Sequence, residues 1–268
     1  MKTKTKLYRG EIELFFESFN HKYTVDDVPV RNITTINSVI AKPGLIPWAA
    51  NEAVDYIQSQ IQPGVSYDEI FLGQTYEAAR KAHAQRKIDA GTMGTLVHKW
   101  VENYINWQVG GSSSEEKPAM PVNETAKKSC ERFLFWATEH KVKFLLSEQP
   151  VYSKEYNYTG TLDFIAVIDG KMYIGDLKTS NAIYSEHYLQ TAAYRHAREE
   201  EFPEEKYEGQ VIVRVGKGDD EFESRAGGIE IAYVRGDEVY KTMFVGFLGA
   251  WKLHDVLEQL KSYRPDSL

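Results

Sequence analysis

The segment that most constrains the fold is a hairpin pattern in residues 160–180, GTLDFIAVIDGKMYIGDLKTS. The dipeptide Asp169-Gly170 favours a two-residue turn between antiparallel strands, because a type I′ turn needs a positive φ at both central positions. Runs rich in Ile, Val and Phe flank the turn and predict two buried strands. Each run also contains one aspartate, Asp163 or Asp176, a residue type that is seldom buried without a partner.

The turn predicts how the two aspartates are arranged. If Ile168 faces Lys171, the same register places Asp163 opposite Asp176, and strand alternation puts Lys178 on the same face. An exposed acidic face is the ordinary alternative, and the apolar neighbours on this face argue against it. Facing like charges destabilise a sheet, and cations or protonation relieve the repulsion. Two carboxylates about 5 Å apart suit Mg²⁺ or Mn²⁺, so we expect a metal site here.

Composition limits the other possibilities. The chain has 268 residues, of which 42% are hydrophobic, enough for one large packed domain. Its net charge of −7 argues against a protein that coats nucleic acid, but not against an enzyme that meets phosphates through bound cations. The single cysteine, Cys130, predicts that there is no disulfide within the chain and no iron–sulfur cluster. Without a membrane span or a secretory signal, we expect a cytoplasmic protein with no membrane partner.

The order of predicted elements favours the α/β class, with a central mixed β-sheet flanked by helices. We expect an edge strand or hairpin in the first 30 residues, then a helix capped by Thr34 or Thr35, and a helical stretch interrupted at Gly91 and Gly94. Strands are predicted near 142–153, 160–179, 209–215 and 228–234, with helices at 123–140, 185–200 and 237–263. These elements predict a single domain over residues 1–268, with a helical front lobe (1–90), a catalytic core (91–268) and a mobile loop (110–119).

Four short motifs, in this order, resemble the PD-(D/E)XK nuclease superfamily, and in particular its RecB-like and phage-exonuclease branch. They are Gly94-Thr95-Leu96-Val97-His98, Gly160-Thr161-Leu162-Asp163, Asp176-Leu177-Lys178-Thr179, and Gln190 followed by Tyr194 four residues later. The resemblance covers about residues 94–200, and Leu162 stands where the family name has proline. It implies a restriction-endonuclease-like core and metal-dependent hydrolysis of DNA phosphodiester bonds, with digestion from an end favoured over internal cutting.

The resemblance also implies roles for individual residues. Lys178 would act in catalysis with Asp163 and Asp176, by orienting or deprotonating the attacking water or by stabilising the transition state. The ligands of one or two Mg²⁺ or Mn²⁺ ions would be Asp163, Asp176, the backbone carbonyl of Leu177, His98 and, as a further ligand, Glu148. Glu102 lies one helical turn after His98 and is a candidate to orient or supplement it. Gln190, Tyr194 and Thr179 would contact DNA.

Two features leave alternatives open. The basic residues Arg80, Arg86 and Lys87 would track DNA phosphates, although a solvated helical face explains them equally well. A non-catalytic DNA- or protein-binding module on the same fold is the rival hypothesis, and an RNA-directed nuclease is a third. The expected partners are single- or double-stranded DNA and phage or bacterial recombination, repair or replication proteins.

Overall fold

The computed structural model describes residues 2–20, 22–110, 116–216 and 228–263. Residues 111–115, the middle of the predicted mobile loop, lie outside the described residues. The chain divides into two compact units, one formed by Met1–Ile40 with Val97–Leu268 and the other by Ala41–Leu96. The second unit is smaller and helical, and the first 32 residues contribute strands to the larger unit, as expected of an N-terminal hairpin.

The larger unit is built on a sheet in which we describe nine strands. They are β1 (Lys2–Leu7), β2 (Ile12–Glu17), β3 (Lys22–Val25), β4 (Val28–Asn32), β5 (Lys143–Ser153), β6 (Tyr158–Ile168), β7 (Lys171–Lys178), β8 (Gly209–Val215) and β9 (Ile229–Arg235). The order is β1-β2-β3-β4-β6-β7-β8-β9, with β5 on β6. The pairs β4–β6 and β7–β8 are parallel and the others are antiparallel, so the sheet is mixed, as predicted.

Six α-helices accompany the sheet in the described part of the chain. They are α1 (Ile33–Asn37), α2 (Leu45–Gln60), α3 (Glu69–Val109), α4 (Glu124–Glu139), α5 (Ser185–Glu201) and α6 (Asp237–Leu260). Helices flank the sheet of the larger unit, which confirms the α/β class. Within the ranges described, we find no helix with the length and apolar character needed to cross a membrane.

Two details of the predicted helices are wrong. The cap of α1 is Asn32, whose side-chain oxygen accepts a hydrogen bond from the backbone N–H of Thr35 at 2.7 Å. Helix α3 runs without interruption through Gly91 and Gly94. A glycine costs a helix about 1 kcal/mol relative to alanine, which weakens a long helix without ending it.

The hairpin between β6 and β7 has the predicted geometry. Asp169 and Gly170 adopt φ values of 50° and 76°, as a type I′ turn requires. Ile168 pairs with Lys171, and the register continues unchanged to Phe164 and Gly175. The turn dipeptide therefore fixes which residues face each other across these strands.

Both faces of the hairpin are buried. On one face, Ile165 and Ile174 belong to a core cluster that includes Phe247 of α6 and apolar residues of α5. On the other face, the ring of Phe164 meets that of Phe133 of α4, with 6.3 Å between centroids. The aspartates of β6 and β7 thus lie in strands held on both sides by packed side chains.

Gly175 allows this packing, and we expect Gly175→Ala to destabilise the protein. A Cβ at this position would lie 1.9 Å from the ring of Phe164, its cross-strand partner. The overpacking should lower the free energy of unfolding by about 1–3 kcal/mol, measured by urea denaturation. Gly249→Ala in α6 is the matched control, because its Cβ would meet nothing within 4 Å. Equal effects of the two changes would contradict the steric explanation.

Candidate active site

Three neighbouring strands bring three carboxylates to the same level of the sheet. On β5 and β6, the residue pairs before and after Glu148 and Asp163 follow the same register. These two acidic residues therefore face each other across the two strands. On β6 and β7, the pair Phe164–Gly175 directly precedes Asp163 and Asp176. Asp163 therefore lies between two other acidic residues. The sequence predicted Asp176 as its neighbour but did not place Glu148 opposite it.

His98 of α3 completes a group that can hold a metal ion. Its Nδ1 lies 3.7 Å from Oδ2 of Asp163. One ligand atom from each of His98, Glu148 and Asp163 lies within 4.8 Å of the others. Carboxylate oxygens with one imidazole nitrogen form a suitable ligand set for Mn²⁺, and the carboxylates also suit Mg²⁺. The structure thus brings together two of the predicted ligands with Glu148, which we had expected only as a further ligand.

The backbone at Glu148 is unusual for a strand. Its φ is +48°, a left-handed conformation that costs a residue with a Cβ on the order of 1 kcal/mol. Within a strand such strain needs support from the surrounding structure, and functional sites are one place where it is kept. Here it occurs at the residue that faces Asp163.

Asp176 has a different environment from Asp163. Its side chain is fully buried, and Nζ of Lys178 donates to its Oδ1 at 2.8 Å and lies 2.6 Å from its Oδ2. The Oδ2 atom has no hydrogen-bond partner of suitable geometry among the described residues. Lys178 thus neutralises Asp176 in particular, through contacts with both oxygens of the carboxylate.

Asp163 also has a structural contact. Its Oδ2 accepts a hydrogen bond from the backbone N–H of Leu177 at 2.6 Å, just beyond the last paired residues of β6 and β7. Because the N–H and C=O of a strand residue point to the same edge, the carbonyl of Leu177 also faces β6. This orientation agrees with its predicted role as a ligand, which stays a prediction.

The crowding of acidic groups changes their proton affinities. Burial, with the charge of Asp163 adding to it, raises the pKa of Glu148 to about 8. Burial also raises the pKa of Asp163 and that of Asp176, the latter to about 6, against the opposing effect of Lys178. Burial disfavours the charged form of Lys178, but Asp176 and Asp163 outweigh it and raise the pKa of the ammonium group. Lys178 alone therefore does not keep the pKa values of the carboxylic acids in their ordinary range. A bound cation would add positive charge and favour the ionised forms.

Three other predicted residues lie close to this group. Glu102 accepts a hydrogen bond from Lys99 at 2.8 Å, and its charge contributes to the raised pKa of Glu148. Gln190 donates to the hydroxyl of Tyr194 at 2.6 Å. Burial, and then the charges of Asp176 and Asp163, raise the pKa of Tyr194, so its hydroxyl stays protonated near the carboxylates.

The remaining predicted contacts with DNA have less structural support. Thr179 directly follows Lys178 and is half-buried. Arg80, Arg86 and Lys87 belong to the helical unit, where all three are exposed; Arg80 pairs with Glu77 at 2.7 Å. Their part in DNA binding stays a prediction.

Comparison with models of known protein families finds no match, and comparison with curated proteins finds none either. The assignment of a function therefore rests on the chemistry of the site. The features that carry it are the facing carboxylates, the histidine beside them and the lysine bound to Asp176.

Proposed function

We propose that the protein is a metal-dependent nuclease that hydrolyses DNA phosphodiester bonds, and that its sheet is a restriction-endonuclease-like core of the RecB-like and phage-exonuclease type. The observation that carries the proposal is the row of Glu148, Asp163 and Asp176 on three adjacent strands, with Lys178 bonded to the last. An end-directed activity in DNA repair, recombination or processing is the form that the motifs favour.

The residues present fit a divalent cation. His98, Glu148 and Asp163 would hold it, and Oδ2 of Asp176, which lies 2.6 Å from Nζ of Lys178, offers a further oxygen. Burial first, and then the charge of Asp163, raise the pKa values of Glu148 and Asp176, and a bound cation would favour the ionised carboxylates. When bound, Mg²⁺ or Mn²⁺ would lower the pKa of a water molecule and offset charge on the phosphoryl oxygens.

The contacts of Lys178 favour some of its proposed catalytic roles over others. Its Nζ donates to Asp176, and two nearby carboxylates favour its charged form. An ammonium group is a hydrogen-bond donor and not a base, so Lys178 would orient the attacking water or stabilise the negative charge that develops on the phosphate. Deprotonation of the water by Lys178 is therefore the least favoured of the three roles that we considered.

Removal of the metal tests the function directly. Purified protein should degrade linear DNA with Mn²⁺ or Mg²⁺, and EDTA should abolish the activity. Linear and circular DNA, single-stranded DNA and RNA of matched sequence would separate end-directed from internal cutting and DNA from RNA. Degradation that continues in EDTA would contradict the mechanism. No cleavage of any substrate, together with no Mn²⁺ binding by calorimetry at millimolar concentration, would favour a non-catalytic module.

A further inference from the structure

An open pocket of about 610 Å³ lies in the larger unit, next to the carboxylates. Thr161 of β6 lines it and lies two residues before Asp163 on the same strand, so both side chains are on one face of the sheet. Two residues of a strand span about 7 Å, a distance comparable with the length of one nucleotide. A DNA strand whose phosphate reaches Asp163 would therefore place an adjacent nucleotide in this pocket.

The lining of the pocket is polar but uncharged. Hydroxyl groups come from β3, α1, β6 and α5, and none of the nine described residues that line it is an acid or a base at neutral pH. The hydroxyls are those of Tyr23, Thr34, Thr35, Ser38, Thr161 and Tyr194. Two of them, on Tyr23 and Thr161, lie 3.2 Å apart and share a hydrogen bond. Hydroxyl groups both donate and accept, which suits sugar oxygens and the edges of bases.

An apolar wall adds to this lining. Gly160 is in contact with both Ile33 and Tyr194, since a Cβ at Gly160 would lie 2.9 Å from Cδ1 of the first and 2.7 Å from Cε1 of the second. The glycine lets an aliphatic side chain and an aromatic ring close over the strand. Ile33 and Tyr194 are themselves buried in the core cluster, so they close the back of the pocket and leave the hydroxyl groups as its accessible surface.

A terminal phosphate fits this pocket poorly. A phosphate monoester carries about two negative charges near neutral pH, and strong binding of these charges calls for cations. The pocket offers none among its nine lining residues.

We propose that this pocket binds the sugar and base of the nucleotide next to the scissile phosphate, and that the enzyme prefers DNA ends with a hydroxyl over ends with a phosphate monoester. The proposal rests on the proposed nuclease function and adds a substrate preference to it.

Matched linear DNA substrates test the preference. They have the same sequence and carry either a hydroxyl or a phosphate at the 5′ end or at the 3′ end. The full chain with Mn²⁺ should show a kcat/KM about tenfold or more higher for the hydroxyl form at the end that it attacks. Ser38→Lys, which adds a cation to the lining, should raise cleavage of the phosphate form and narrow the ratio. Ser59→Lys, on the exposed surface of α2, should leave the ratio unchanged.

The outcomes separate the two proposals. If no DNA is cleaved under any metal condition, the nuclease function itself is wrong. Three results would overturn the pocket assignment but not the nuclease function: equal rates on the hydroxyl and phosphate forms, faster cleavage of the phosphate form, or cleavage that does not depend on DNA ends. The wild-type ratio decides this even if Ser38→Lys fails to fold, which circular dichroism would reveal.

Discussion

Lys178→Met is expected to lower DNA cleavage by roughly 10³-fold, the range observed when a single positioned proton donor or charge stabiliser is removed. The side chain is about as long as lysine but has no charge to place against a phosphate. Lys178 is the cation bonded to Asp176, so the loss falls on the reacting centre. The measurement is kcat/KM on linear DNA with Mn²⁺.

Lys171→Met is the matched control for this change. Lys171 lies at the opposite end of the same strand, next to the hairpin turn, where it is exposed and pairs with Glu208 at 2.6 Å. Cleavage by this variant should stay within about twofold of wild type, since surface ion pairs contribute little. Equal activity of the two variants would remove Lys178 from the mechanism.

Stability needs a separate control, because Lys178→Met leaves Asp176 without its partner. Removal of one member of a buried ion pair can cost about 3–5 kcal/mol. Lys178→Arg keeps the positive charge but changes the donor geometry, and arginine does not replace a point-like ammonium group. We expect this variant to fold and still to lose most of its activity, measured beside a thermal unfolding curve.

Asp163→Asn is expected to reduce Mn²⁺ affinity by about 100-fold or more and to abolish detectable cleavage. The asparagine oxygen can still accept the hydrogen bond from the N–H of Leu177, so the backbone contact is kept. The change removes the carboxylate at the centre of the acidic row. Titration calorimetry with Mn²⁺ measures the loss of affinity independently of cleavage.

The melting temperature of Asp163→Asn in the absence of metal provides a second measurement. With the negative charge of Asp163 gone, neither Glu148 nor Asp176 is repelled by it across the sheet, and the melting temperature in EDTA should rise. Asp169→Asn is the same substitution on the same hairpin and should change neither property, because Asn-Gly also favours the type I′ turn. Wild-type Mn²⁺ affinity in Asp163→Asn would rule out Asp163 as a ligand.

Much of the hairpin could be predicted from the sequence because its geometry is local. A dipeptide that needs two positive φ values fixes the turn, and the turn fixes the register from Ile168–Lys171 to Phe164–Gly175. The α/β class could be predicted in the same way, from the order and period of apolar residues. Neither requires knowledge of distant contacts.

The N-terminal strands and Glu148 could not be placed in this way. The pairing of β4 with β6 joins residues more than 120 positions apart, for which no local pattern exists. Residues 154–157, which connect β5 to β6, contain no two-residue turn signal, so the register of Glu148 against Asp163 could not be counted from the sequence. The β-bulge between Phe144 and Leu146 lies beyond Glu148 and offsets only the pairs of Lys143 and Phe144.

The sequence by itself determined that two aspartates and a lysine share one face of one hairpin, because turn chemistry and strand alternation act over a few residues. Only the tertiary structure decided which partner each group has. It placed Glu148 opposite Asp163, brought His98 to 3.7 Å from that aspartate, and bound Lys178 to Asp176. These contacts depend on packing between segments that are distant in the sequence. The packing fixes the distances between the charged groups, and the distances determine which groups pair.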